Sequence, residues 1–319
     1  MVLLAQRQGL SGSRPVRRPQ EEKAGGRPGI PGLTMIVPTH PLLAEIVGQI
    51  VDWDVPDGDV AQVLAPKALP STAPCLMAQY RAPMRSDRHF GSSGYRHRRY
   101  GHVATTVGTG VVTLRPSGPL GVLFIRLKPE AAARLMGERM QDFVNEKIDL
   151  SDLFKAGDVS LLEEMLMEAP DSAARFARIE SFLLRNLREC RPDPVACRAA
   201  QCLRRNPSLR VQRLAAQLDV SERHLSRRFR AMFGAGPKLF ARVARIEKVL
   251  AMRQHGSAWA DIAYACGFAD QAPHMINDFD AIVGEPPQHF FSTTAVDAHR
   301  ESDTPAVQSA GLIFPESFR

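Results

Sequence analysis

The stretch VQRLAAQLDVSERHLSRRFRAMF, residues 211–233, predicts two short helices joined by a tight turn. Four apolar residues recur at the i, i+3, i+4 and i+7 spacing of one helix face: Val211, Leu214, Ala215 and Leu218. Asp219 and Val220 interrupt this pattern, and Ser221 then stands where its side chain can cap the next helix. The stretch therefore predicts a helix-turn-helix motif, in which the second helix covers Ser221–Phe233.

The second helix of this motif has an apolar side and a basic side. Leu225, Phe229 and Met232 share the apolar side. At about 100° per residue, four residues fall within an arc of roughly 100° on the opposite side: Arg223, Ser226, Arg227 and Arg230. A solvated charged surface is one interpretation of this arc. Because it holds three arginines and no acid, we favour insertion into the major groove of DNA, with these four residues as contacts.

The same pattern occurs a second time. Gly236-Pro237 predicts the start of a long linking helix, because proline is well accommodated at the first helical position. A second scaffold helix and turn come next, and Asp270 is a candidate N-cap for the helix after them. In that helix, three residues repeat the spacing of the first motif's core: Met275, Phe279 and Ile282. A lone amphipathic helix pair is common, so the repeat is the more specific signal.

These residues resemble the AraC/XylS-type DNA-binding domain over roughly Ala196–Phe291. The resemblance is carried by Leu214-Ala215, Asp219-Val220-Ser221, His224-Leu225, Arg227, Phe229, Gly234, Pro237, Ile262-Ala263, Cys266-Gly267-Phe268, Asp270-Gln271, Phe279, Gly284 and Pro287. It implies a bacterial transcription regulator whose linking helix sets two recognition helices into successive major-groove turns. The implied partner is double-stranded promoter DNA. RNA polymerase, a small-molecule effector of unknown identity and a second copy in a homodimer are further options, and no cofactor is implied.

Two positions depart from the family pattern. Asp219 stands where the family usually has glycine in the turn, and aspartate tolerates a left-handed backbone at modest cost. Pro273 lies near the start of the second recognition helix, and Phe268 and Phe279 are one position further apart than usual. If Asp270 is the N-cap, Pro273 is the third helical residue, where its missing N–H would have been unpaired anyway.

Charge is distributed unequally between the two motifs. Residues 188–253 contain sixteen Lys and Arg against five Asp and Glu, whereas residues 254–292 contain five acids and no Lys or Arg. Phosphate contacts supply most non-specific DNA affinity, so we expect the first motif to carry most of it. At the outward positions of the second recognition helix stand Pro273, Asn277 and Asp280. We give equal weight to two interpretations of the second motif: a structural buttress that rarely touches DNA, or weak base contacts from His274 and Asn277.

The region before the motifs combines strand and helix signals. Leu42–Val51 predicts a short amphipathic helix, and Val103–Val112 and Leu120–Leu127 predict strands. After Pro129 the patterns are helical: Ala131–Met136, Met140–Val144, Leu161–Met167 and Ser172–Leu187. The segment Arg115–Gly121, together with the strand and helices after it, also resembles, more weakly, a poorly characterised N-terminal domain of some AraC-type regulators. That resemblance implies no ligand.

A cluster of basic residues lies within residues 85–102: Arg85, Arg88, His89, Arg96, His97, Arg98, Arg99 and His102. One interpretation is a pocket for an anionic effector. We favour the other, a solvated charged loop interrupted by glycines. No metal-ligand spacing is visible among the histidines.

The complete prediction divides the 319 residues into four parts. Residues 1–33 are a disordered basic tail, 34–187 an α+β sensor or dimerisation domain, 188–294 an all-α domain with two helix-turn-helix motifs joined by a long linking helix, and 295–319 a flexible tail. No run of about 18 apolar residues is present, and five cysteines without a C-x-x-C pair favour a cytoplasmic protein with reduced thiols. We expect no membrane partner and no metal.

An enzyme is the main alternative class. Related helix-turn-helix domains are sometimes fused to alkyl-transfer DNA-repair modules, which need an activated cysteine with nearby ligands. Cys75 has no neighbouring His, Cys or carboxylate in the sequence, which is typical of a buried apolar thiol. We therefore predict no catalytic residue.

Overall fold

The protein combines an N-terminal region of sheets and helices with a helical C-terminal region, as the sequence predicts. The computed structural model describes residues 32–64, 67–88, 96–100, 103–105, 107–137, 140, 144, 147–268, 272–293 and 312–313. Residues 1–31 of the basic tail and most of residues 295–319 lie outside the described residues, as do His89, His102 and Asp270.

The strands form two sheets. In chain order they are β1 (Leu33–Ile36), β2 (Val47–Val55), β3 (Lys67–Ala68), β4 (Cys75–Gln79), β5 (Met84–Arg88), β6 (Arg96–Tyr100), β7 (Val103–Thr105), β8 (Val112–Pro116), β9 (Leu120–Leu127), β10 (Lys147–Asp149) and β11 (Leu312–Ile313). One sheet has the order β1-β2-β9-β4-β7-β10, and the other has the order β11-β3-β8-β5-β6. All described strand pairs are antiparallel.

Six helices belong to the N-terminal region: α1 (Pro41–Ala44), α2 (Gly58–Val63), α3 (Ala133–Met136), α4 (Leu150–Leu153), α5 (Ala156–Met167) and α6 (Ser172–Arg185), with a 3₁₀ turn at Pro129–Ala131. Strand β9 shows how the layers meet. Leu123, Ile125 and Leu127 pack in one core with residues of α3–α6. The alternate residues Leu120, Val122 and Phe124 pack in a second core with residues of the other sheet. The six-stranded sheet is therefore the middle layer.

Two local predictions in this region are wrong. The helix predicted over Leu42–Val51 ends at Ala44, and β2 begins at Val47. Because β2 is buried on both faces, its apolar residues do not alternate, and such a run cannot be distinguished from a helix by periodicity. The strand predicted over Val103–Val112 is interrupted after Thr105, and the intervening loop leaves the sheet to contact the C-terminal region.

A buried ion pair fixes α6 on the middle sheet. Asp52 on β2 is fully buried and Arg175 on α6 is 5% exposed. The Arg175 Nε donates to Asp52 Oδ2 at 2.8 Å, and Tyr80 and Ser172 donate their hydroxyls to the same carboxylate. Burial, followed by the charge of Asp52, raises the pKa of Tyr80, so its hydroxyl remains a donor. With its donors in place, the buried carboxylate is satisfied.

Seven helices form the C-terminal region: α7 (Pro194–Arg205), α8 (Val211–Gln217), α9 (Glu222–Phe233), α10 (Pro237–Gln254), α11 (Trp259–Ala265), α12 (Ala272–Val283) and α13 (Pro287–Thr293). They share one core that runs through both predicted motifs. Within residues 295–319, predicted to be flexible, Leu312 and Ile313 instead form β11 and pair with β3. Among the described helices, none has the length and apolar composition needed to cross a membrane.

Candidate nucleic-acid interface

The first helix-turn-helix motif consists of α8, a tight turn and α9. Asp219 in the turn has φ +53°, the left-handed conformation expected of the residue that replaces the usual glycine. Ser221 is the N-cap of α9, and its side chain accepts a hydrogen bond from the His224 N–H at 3.2 Å. The sequence therefore predicted both the turn and the cap correctly.

The inner side of α9 is fully packed. Leu225 and Phe229 are fully buried, and Met232 is nearly so. The Phe229 ring lies 4.5 Å from that of Phe233 and 5.2 Å, edge-on, from that of Phe240 on α10. These aromatic contacts fix the recognition helix against the linking helix.

The outer side of α9 presents arginines to solvent. Arg223, Arg227 and Arg230 are exposed, and Ser226 is half-buried. Among the described residues, no carboxylate lies within 4.0 Å of these three guanidinium groups. Arg227 Nη2 lies 3.4 Å from His224 Nδ1, one turn earlier. Unneutralised guanidinium groups on one helix face are suited to phosphates and to base edges.

A fourth arginine on α9 has a structural partner. The Arg228 Nε lies 2.5 Å from Asp193 Oδ2, at the N-cap of α7. Asp193 also accepts the N–H of Ala196 at 2.9 Å. Partial burial by itself raises the pKa of Asp193, but the hydrogen bonds from Arg228 and the backbone outweigh it and hold that pKa below its usual value. Arg228 therefore joins α9 to α7.

The second motif repeats this architecture with a different surface. Its turn contains Gly267 at φ +75°, and Met275, Phe279 and Ile282 of α12 are buried as predicted. Helix α12 begins at Ala272, so Pro273 is its second residue, one position earlier than the prediction. On the outer side, the exposed residues are His274, Asn277 and Asp280. Pro273, which the sequence also places at an outward position, is exposed too, and none of these four residues is a Lys or Arg.

Two arginines of the linking helix fix α12. The Arg242 Nε donates to Asp278 Oδ1 at 3.0 Å, and the Arg245 Nη1 lies 3.4 Å from Asp278 Oδ2. In the sequence, Asp278 is simply one of the five acidic residues between positions 254 and 292. A spacing of more than thirty residues gives no local pattern that could have identified this contact.

The N-terminal region contacts the second motif through its backbone. The Gly110 N–H donates to the Ile282 carbonyl at 2.6 Å, and the Val111 N–H donates to the Val283 carbonyl at 3.0 Å. These carbonyls belong to the last turn of α12, where no N–H of the helix itself remains to pair with them. The Lys67 Nζ lies 3.1 Å from Glu285 Oε1, just beyond the helix.

The N-terminal region also contacts the linking helix, at a group that we call the Glu247 cradle: Ser71, Thr72 and Arg126 around the Glu247 carboxylate. Ser71 Oγ and the Thr72 N–H donate to Oε1 at 2.7 and 3.0 Å, and Thr72 Oγ1 donates to Oε2 at 2.7 Å. The Arg126 Nη2 lies 3.4 Å from Oε1. Both carboxylate oxygens therefore receive donors from the N-terminal region.

The environments of three cysteines disfavour nucleophilic chemistry. Burial raises the pKa of Cys75 to about 11 and that of Cys197 to about 11, and it also raises the pKa of Cys266. A thiol with such a pKa stays protonated near neutral pH, whereas a reactive cysteine needs thiolate character. Within the described part of the chain, no three His, Cys, Asp or Glu side chains are grouped so that they could hold a metal ion.

Comparison with known proteins agrees with this geometry. Residues 214–293 match the family model described as "Helix-turn-helix domain". This part of the chain is an AraC-type helix-turn-helix domain. The match begins in α8 of the first motif and ends in α13, so the AraC-type domain includes both recognition helices and the linking helix.

Solved structures that are similar to the chain include ToxT from Vibrio cholerae, at 10% identity and a TM-score of 0.40, covering 82% of this chain and 98% of that one. ToxT with a bound unsaturated fatty acid is similar at 12% identity and a TM-score of 0.39, covering 85% and 99%. The AraC-like transcriptional activator CuxR is similar at 14% identity and a TM-score of 0.26, covering 75% and 91%. No curated protein sequence matched the chain.

Proposed function

We propose that this protein is a sequence-specific DNA-binding transcription regulator, in which the first motif provides most of the affinity for DNA. The observation that supports this proposal is the outer side of α9, where Arg223, Arg227 and Arg230 are exposed without a described carboxylate partner. Ser226 lies among them. A helix with such a face suits the major groove, and arginine pairs with guanine through two hydrogen bonds.

The second motif contributes less in this proposal. Its outer side offers His274 and Asn277 as weak base contacts, while the exposed Asp280 would repel phosphates. The contacts of α12 with Arg242, Arg245, Gly110 and Val111 favour the alternative that it is a buttress, because they fix the helix without DNA.

Footprinting of the purified full-length chain on the intergenic DNA beside its own gene tests the proposal. We expect a protected site, and tighter binding there than to random DNA of equal length at two salt concentrations. The variant Arg223→Ala/Arg227→Ala should lose the footprint. Equal affinity for both DNAs would contradict sequence-specific regulation and indicate a non-specific binder instead.

A further inference from the structure

The Glu247 cradle has the donor set of an anion-binding site. Two hydroxyls, one backbone N–H and one guanidinium converge on the two oxygens of a single carboxylate. Thr72 is 3% exposed, and Arg126 also donates to Ser71 Oγ at 3.2 Å, which orients that hydroxyl. Such a set satisfies any planar or tetrahedral oxyanion, not a glutamate alone.

The anion that occupies the cradle comes from the other region of the chain. Ser71, Thr72 and Arg126 lie in the N-terminal region, whereas Glu247 lies on α10, the linking helix between the two motifs. The Glu247 side chain is 24% exposed and that of Arg126 is 30% exposed, so solvent reaches the contact. A dissolved anion can therefore approach the cradle when Glu247 leaves it.

The space beside the cradle is basic. A cavity of about 490 Å³ adjoins the cradle, and its lining includes Lys128, Arg204 and Lys248 as well as Arg126, with Glu247 the single lining carboxylate. Lys128 and Lys248 donate to the carbonyls of Ala44 and Ala265 at 2.7 Å, and Arg204 pairs with Glu130. Hydrogen bonding to neutral carbonyls leaves the two lysine charges unneutralised, so the cavity favours a ligand with more than one negative charge.

We propose that the cradle is a binding site for a small dianion carrying a carboxylate or phosphate group, and that Glu247 is the internal anion which this ligand displaces. One oxyanion of the ligand takes the donors of Ser71, Thr72 and Arg126, and the second charge lies near Lys128 and Lys248. Displacement releases α10 from this contact with the N-terminal region. That regulatory consequence rests on the proposed DNA-binding function, whereas binding at the cradle does not.

Emptying the cradle tests the site directly. We would titrate Glu247→Ala with succinate and, separately, with inorganic phosphate at constant ionic strength. Calorimetry then measures the affinity of the variant for each anion, and the natural ligand need not be known. Because a tethered carboxylate competes at a high effective concentration, we expect the variant to bind at least one anion about tenfold or more tightly than wild type. The two arms distinguish a carboxylate from a phosphate source.

Two controls define the result. Glu164→Ala removes an exposed carboxylate from α5 and should leave anion binding at the wild-type level. Glu247→Ala/Arg126→Ala lacks the guanidinium of the cradle and should lose the gained affinity. If Glu247→Ala binds neither anion more tightly than wild type, or if the double variant binds as tightly as the single one, the proposal is overturned. Should Glu247→Ala not fold, Glu247→Gln supports the same comparison with the side-chain volume retained.

A second measurement separates the site from its consequence. The anion that binds should shift the DNA affinity of wild type at saturating concentration, with a smaller shift in Glu247→Ala, where α10 is already released. An unchanged DNA affinity with intact anion binding would overturn the regulatory coupling alone. Absence of sequence-specific DNA binding in all variants would contradict the proposed function and leave the calorimetric result standing.

Discussion

At the scale of single residues, Arg227 is expected to discriminate between bases. A bidentate arginine–guanine contact is worth about 1–3 kcal/mol, so Arg227→Ala should weaken operator binding by roughly 5- to 150-fold and random-DNA binding much less. Gel-shift titration on both DNAs measures this difference. Arg185→Ala, which removes an exposed arginine from α6, is the charge-matched control. An equal loss on both DNAs would reduce Arg227 to a phosphate contact.

Phe229 should act on stability rather than on DNA. Its ring is fully buried between Phe233 and Phe240, and replacing such a residue with alanine costs about 3–5 kcal/mol. Urea denaturation of Phe229→Ala measures the loss, and Phe279→Ala is the matched change in the second motif. A Phe229→Ala protein that unfolds like wild type, yet fails to bind DNA, would contradict this assignment.

Residue roles could be predicted only where the partner is near in sequence. The cap at Ser221 and the cores of both recognition helices follow from helical periodicity, which is a local property. The partner of Arg228 is Asp193, 35 positions away, and that of Arg175 is Asp52, 123 positions away. Helical periodicity placed Arg227 but not Arg228 on the outer arc, yet nothing in the sequence near Arg228 identifies Asp193 as its partner.

At the scale of elements, the two recognition helices should differ in salt dependence. If Arg230 contacts a phosphate, Arg230→Gln should reduce the slope of log affinity against log salt concentration by about 0.9. Asp280→Asn should tighten binding modestly by removing a repulsion, provided that α12 lies near the DNA backbone. Titration over a series of salt concentrations measures both.

Two further variants decide the role of α12. If Asp280→Arg changes neither affinity nor footprint length, α12 does not approach DNA and serves as a buttress. If Asn277→Ala abolishes discrimination at one half of the site, α12 contacts bases despite its charge, and the first motif does not dominate as proposed.

The stability that the Asp193–Arg228 ion pair gives to the contact between α7 and α9 should depend on pH. The folded-state pKa of Asp193 lies below its ordinary value, so its charge stabilises the fold above the unfolded pKa, and this stabilisation is lost as the pH falls through the folded pKa. Asp193→Asn keeps the helix cap but lacks the charge. For this partly exposed pair we expect wild type to exceed the variant by about 0.5–1 kcal/mol at neutral pH. Denaturation at a series of pH values should show the difference shrinking toward acid pH, and a constant difference would contradict the ion pair.

Elements with one exposed face could be predicted from the sequence, whereas one element buried on both faces could not. Helices α9 and α12 each have one solvent-exposed side and one buried side, so the helical period of their apolar residues is visible in the sequence. Strand β2 is buried on both faces, and the sequence there predicted a helix. The charge difference between the motifs was visible, but the use of Asp278 to fix α12 depends on a linking helix whose packing no local pattern specifies.

At the scale of the whole molecule, Lys67 should couple the N-terminal region to the second motif. Its Nζ lies 3.1 Å from Glu285 and 5.0 Å from the centre of the Phe290 ring. Lys67→Met keeps the aliphatic stem and removes the charge. The largely buried Glu285 carboxylate then loses this partner, which should destabilise the contact by roughly 1–3 kcal/mol. Amide hydrogen exchange should become faster in residues 284–293 and stay unchanged in α9. Lys155→Met, an exposed change on another surface, should have no effect.

The way in which the two regions contact each other could not be predicted from the sequence. The domain types could be predicted from periodicity and from a family resemblance, but the contacts between the regions join residues far apart in the chain, such as Thr72 and Glu247, which are 175 positions apart. Polar pairs and the buried side chains of Val107 and Val111 both contribute to the contact, and each residue involved is ordinary in its own neighbourhood. The loop at residues 107–111, which the sequence predicted as part of a strand, makes one of these contacts, with the end of α12.

That loop has a consequence for genetics. Gly110 and Val111 hold the end of α12 through main-chain N–H groups, although Gly110 has φ +83° and the Val111 side chain is buried in the C-terminal core. Alanine at either position keeps the N–H, so alanine scanning would report backbone strain at Gly110 and lost packing at Val111 without removing these hydrogen bonds. Proline is the one coded residue that lacks the N–H. In a saturation library at position 111, depletion of proline beyond that of other small apolar residues would be the sign of a contact made by the backbone.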